Sequence, residues 1–93
     1  MSYVVVDGTG RYVGELCSGS GLEALYRDLT ASRNPWLAGL ARLGYTLEPR
    51  VVAAELRAAA RRPGANAQLL DRLAALLDRC EESALITSAY QEE

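Results

Sequence analysis

The sequence predicts an α+β domain in which an N-terminal β-hairpin, about four helices and a C-terminal strand build one small antiparallel sheet, β-β-α-α-α-α-β. Three observations predict it. Two β-type runs flank a D-G-T-G turn at residues 7–10. Four segments between residues 20 and 82 space their apolar residues with the period of a helix. The tail SALITSAY returns to β-branched and aromatic residues. Its strand, over 84–90, is expected to pair with the hairpin, because two strands alone are marginal in water.

Each element has a local reason. The runs YVVVD (3–7) and RYVGELC (11–17) are β-branched or aromatic, and glycine supplies the positive φ that a tight turn needs. Either Asp7-Gly8 or Gly8-Thr9 could form the turn centre. Ser20 precedes Leu22, Leu25, Tyr26 and Leu29, and Glu23 completes an S-x-x-E capping box. The first helix is therefore expected from Gly21 to about Ala31. In NPWLAGLARLG (34–44), Asn34 suits the cap, Pro35 the first helical position and Gly44 the stop. Trp36, Leu40 and Leu43 share the expected inner face. Glu48-Pro49 opens a third helix, expected to run through Arg62, with Val52, Leu56, Ala59 and Ala60 inward. The small face of Ala53, Ala59 and Ala60 permits close helix approach, within the fold or across a dimer seam. The last helix, about Asn66 to Glu82, carries the clearest apolar stripe: Leu69, Leu70, Leu73, Leu76, Leu77 and Cys80. With no Phe in the chain, the larger core anchors must come from Leu, Trp36, Tyr3, Tyr12, Tyr45 and Tyr90.

Ninety-three residues, 49% of them apolar, make one domain, 1–93, with one modest core. No run approaches the length of a membrane span, and the start MSYVVVDGTG has no signal-peptide character. A cytoplasmic protein is expected. All ten basic residues are Arg, and Ala and Leu dominate, a bias that fits a bacterial or phage genome. A net charge of −2 is too small to favour nucleic acid or an anionic membrane as partner. The two cysteines, Cys17 and Cys80, are expected as free, packed thiols.

The absence of histidine removes Ser-His-Asp and Cys-His catalysis and most zinc sites. Lysine is absent too, so no phosphate-binding G-x-x-x-x-G-K-[ST] loop exists. No catalytic residue, metal ligand or cofactor is assigned, and the chain is expected not to be an enzyme. The acidic residues Asp78, Glu81, Glu82, Glu92 and Glu93 follow no calcium-loop pattern and suit solvated ends.

Two surfaces remain. Amides at a helix N-terminus attract anions, which makes Ser18, Gly19, Ser20 and Gly21 the candidate anion-binding residues. The arginines of the third helix, Arg50, Arg57 and Arg61, with Tyr90 beside an exposed strand edge, are the candidate partner-binding residues. The stretch VVVDGTGRYVGELCSGSGLEAL, residues 4–25, has a local resemblance to the strand–turn–strand–helix of CBS ligand-sensing domains. Those often carry a VVD–G–x–V–G run and then a hydroxyl residue before a helix. The resemblance stops after Leu29, where helices follow in place of strands. It assigns no family and weighs toward ligand binding as the alternative. The leading expectation is a non-enzymatic interaction protein (adaptor, inhibitor or accessory subunit) that binds a protein partner or forms a homodimer. The alternative is a small-molecule or anion-binding module using the Gly/Ser turn.

Overall fold

Glycine closes the first turn as the hairpin requires. The Gly10 amide donates to the Asp7 carbonyl at 2.9 Å, and Gly10 sits at φ 85°, so Gly8-Thr9 is the turn centre. In the computed structural model, which describes residues 2–89, this turn joins β1 (Ser2–Asp7) to β2 (Tyr12–Ser18). The described residues continue with α1 (Gly19–Ala31), α2 (Pro35–Leu43), β3 (Tyr45–Thr46), α3 (Pro49–Ala59), α4 (Ala67–Asp78) and β4 (Ala84–Ser88). The fold is α+β, and the expected C-terminal strand does pair with the hairpin. The sheet is antiparallel with strand order β2-β1-β4-β3. Its fourth strand, β3, has two residues and was not expected. β4 is consequently an inner strand, not an edge.

The helices pack on one face of this sheet. Val5, Ala84 and Ile86 point into a core made chiefly of leucines from α1, α2, α3 and α4. Gly14 faces the same way, because a Cβ there would stand 2.6 Å from Leu76 Cδ2 of α4. The stripe of α4 is buried as expected, with Leu69 at its half-buried rim.

Several boundaries differ from the sequence reading. The cap of α1 is Ser18, whose Oγ accepts from the Gly21 amide at 3.3 Å, while Ser20 lies inside the first turn. The S-x-x-E box is therefore not formed around Ser20. β2 runs straight into α1, since Ser18 still pairs with Ser2. In α2 the cap and stop are as expected: Asn34 Oδ1 accepts from the amides of Trp36 (2.9 Å) and Leu37 (3.4 Å), and Gly44 adopts φ 76°. Its inner face, however, is Leu37 with Leu40. Trp36 (44% exposed) and Leu43 are turned to its flanks and anchor no core. The third helix ends at Ala59 rather than Arg62. Pro63 disfavours helical backbone at the residue before it, and the amides of Arg61 and Arg62 instead bond back three residues to Ala58 and Ala59. The last helix stops at Asp78, where the amides of Arg79 and Cys80 tighten onto Leu76 and Leu77. Ala53 and Ala59 are buried within the fold, so this small face serves internal packing.

One polar knot ties the hairpin turn to the segment that follows α4. The buried Asp7 carboxylate accepts from the Thr9 hydroxyl (2.6 Å), the amides of Thr9, Arg11 and Glu81, and the Arg11 guanidinium. Arg11 also donates to the Arg79 carbonyl at 2.9 Å. The Thr9 hydroxyl, with the amides of Arg11, Thr9 and Glu81 behind it and burial working against them, holds this carboxyl far below its ordinary range. The knot fastens the hairpin turn to the chain that links α4 to β4.

Candidate functional site

Directly opposite residues in an antiparallel ladder project to the same face of the sheet. Val5 points into the helix layer, so Val6 points away from it. Val6 is opposite Tyr12 on one side and Leu85 on the other, and Leu85 is opposite Tyr45. The result is a transverse row, Tyr12–Val6–Leu85–Tyr45, crossing all four strands on the face that no described helix covers. Tyr12 is 61% exposed, Tyr45 44% and Leu85 43%. A second row beside it holds Glu15, Val4 and Thr87. Val4 is buried yet stands outside the helix-side core, as this orientation requires. Leu47, two residues on from Tyr45, is 70% exposed.

Two bulges make the row possible. The β1–β2 register shifts between Tyr3 and Val4 and again between Val5 and Val6. Each shift leaves one β2 residue unopposed, Leu16 and Val13, and both turn into the core. Without the shift at Val13, strict alternation along β2 would not put Tyr12 outward while Val13 and Gly14 both go inward. The sequence signal for this face was available in part. Three consecutive valines in a central strand are apolar toward both sides, the pattern of strands covered on both faces. Tyr12 and Tyr45, expected as core anchors, stand outside the core because leucine fills it.

The Gly/Ser turn is built differently from a phosphate cradle. Ser18 Oγ already takes the Gly21 amide, and it lies 3.3 Å from Ser20 Oγ. Beside Gly21 runs an open groove of about 420 Å³, lined by Leu16, Cys17, Asn66, Gln68, Leu69 and Arg72. Gly19 and Ser20 do not line it. Burial pushes the Cys17 thiol up, against the pull of the Arg72 guanidinium. Burial, with the Asp7 carboxylate beside it, likewise raises Cys80. Both cysteines are free and neither is activated as a thiolate nucleophile.

The arginine set is dispersed. Arg50 and Arg57 are exposed on α3, but Arg57 is paired with Asp78 of α4 at 2.6 Å. Arg61 lies beyond the end of the helix. Tyr90 lies outside the described residues. Among the described residues no group of three or more His, Cys, Asp or Glu gathers to hold a metal ion, and no helix is long and apolar enough to cross a membrane. Compared with protein-family models, curated proteins and solved structures, the chain matches none of them.

Proposed function

We propose that this chain is a non-enzymatic protein–protein interaction module of the cytoplasm, acting through the uncovered face of its sheet. The observation that carries this reading is the row Tyr12–Val6–Leu85–Tyr45. Aromatic and aliphatic side chains in a contiguous patch are what a protein interface buries at its centre. On this reading the contact surface is the sheet face and not the arginines of the third helix, of which Arg57 pairs with Asp78. Anion binding at the Gly/Ser turn stays the second reading, because the Ser18 cap accounts for that turn by itself.

The test is a photo-crosslinking residue, p-benzoylphenylalanine, placed at position 85 or at position 50 in the cells that make the protein. Illumination is expected to yield protein adducts from position 85 and none from position 50. The absence of adducts at 85, with the protein folded, refutes the reading. Adducts at 50 alone return the contact surface to α3.

A further inference from the structure

The geometry points to a second copy of this chain as the occupant of the uncovered face, the two sheets stacking face to face about a two-fold axis. This rests on the interaction reading above and names the partner.

The sheet's edges discourage the other common route to self-association. β3 offers two residues, and β2 carries two bulges. Short and bulged edge strands are poor templates for an added strand. Pairing through the face remains, with the sheets about 10 Å apart.

Charge selects between kinds of partner. In its two rows the uncovered face carries one charged residue, Glu15. Such a face offers little to a strongly acidic or basic partner. It also meets the condition of an isologous contact, in which one patch must tolerate itself. A two-fold axis running parallel to the strands, between β1 and β4, stacks β2 of each copy over β3 of the other. The two Glu15 carboxylates then stand three strand spacings apart laterally, about 14 Å. That exceeds the Debye length of about 8 Å at physiological salt, so their repulsion is screened. An axis perpendicular to the strands lacks this offset, since it would stack β2 on β2 and bring the carboxylates onto the same edge.

Area sets the strength. Strands of six, seven, five and two residues, rising about 3.3 Å per residue and lying about 4.8 Å apart, make a face of about 320 Å². A standard interface buries about 800 Å² from each partner. The contact must therefore run past β3 onto Leu47, and the dimer is expected to be weak and concentration-dependent.

Sedimentation equilibrium of the purified full chain tests this. Between about 10 µM and about 1 mM, the mass is expected to rise from 10.0 kDa toward twice that value. Leu85→Asp and Tyr12→Glu each put a charge into the contact twice, once per copy. Each is expected to raise the dissociation constant about tenfold or more. Asp71→Asn, on α4 and away from the face, is expected to leave it unchanged. Should Leu85→Asp unfold the chain, Tyr12→Glu at the more exposed position decides the matter, with far-UV circular dichroism as the check on folding. A monomer throughout the range, or a dimer untouched by both charges, overturns the proposal. A monomer whose position 85 still cross-links to a different protein removes the second copy and keeps the interaction reading.

Discussion

A side chain at Gly14 would collide with Leu76 of α4, and replacing this glycine measures how tightly sheet and helix are joined there. An alanine Cβ at this position would lie 2.6 Å from Leu76 Cδ2. Carbon atoms in contact rest at about 3.5–4.0 Å, so the Leu76 methyl must retreat by about 1 Å. Leu76 is 7% exposed, so its methyl must move within a packed layer. Overpacking of this kind costs about 1–3 kcal/mol. Because Gly14 needs no positive φ, alanine also returns about 0.4–1 kcal/mol by narrowing the unfolded ensemble. Gly14→Ala is therefore expected to destabilise by about 1 kcal/mol. Leu76→Ala alone leaves a cavity and costs about 2–3 kcal/mol. In the double variant the obstructing methyl is gone, and the Gly14→Ala change becomes neutral or slightly stabilising. The cycle should then show a coupling of about 1–2 kcal/mol, with the pair less damaging than the sum of its members. Urea unfolding of the four proteins, followed by far-UV circular dichroism, gives the numbers. Simple additivity would refute the reasoning, since the cost of Gly14→Ala would then arise somewhere other than at Leu76.

Two further predictions concern the ends of elements. Ser18→Ala is expected to lower stability by about 0.5–1 kcal/mol, the lower part of the range for a cap because its 3.3 Å bond is exposed. Ser20→Ala, inside the first turn, is expected to be neutral or slightly stabilising; a thermal melt that ranks the two the other way restores the Ser20 cap. Asp7 governs the acid limb. Its folded pKa lies below its unfolded value of about 3.9, so its contribution is complete above that pH and is lost as pH falls below about 4. Thermal unfolding between about pH 2.5 and 7 should show Asp7→Asn with a lower Tm at neutral pH and a flatter acid limb. An acid limb identical to that of the parent chain rejects the assignment.

What the sequence made legible follows from how local each determinant is. The bounds of α2 are carried by Asn34, Pro35 and Gly44, three residues whose preferences act on their own backbone. The stripe of α4 is carried by five leucines at one period, a signal that survives errors at its ends. The start of α1 is different. Two serines could cap it, and the choice depends on where β2 releases the chain, which its pairing with Ser2 decides. The outward turn of Trp36 depends on which side of α2 meets the core, and Leu37 with Leu40 takes that side. A two-residue strand such as β3 is too short to carry any period, and a bulge becomes visible only against its partner strand. Those non-local features are also the ones that build the uncovered face, which explains why the arginines of α3 stood out in the sequence and the row across the sheet did not.

The composition of that row argues that something covers it. Period 2 puts Val5 toward the helices and leaves Val4 and Val6 facing away. Strand propensity by itself explains valines there, because β-branched residues suit extended backbone on either face. It also explains Tyr12 and Tyr45. It does not explain Leu85, which is not among the residues enriched in strands and sits 43% exposed in an inner strand between Val6 and Tyr45. A sheet face that meets water is normally served by polar residues at such positions, as Glu15 and Thr87 serve the adjoining row. The apolar choice runs along one row that crosses every strand, and in the row beside it only Val4 of β1 is apolar, between Glu15 and Thr87. Propensity acts strand by strand and has no means of aligning four choices across a sheet. Burial by the proposed partner would act across the sheet and select all four together.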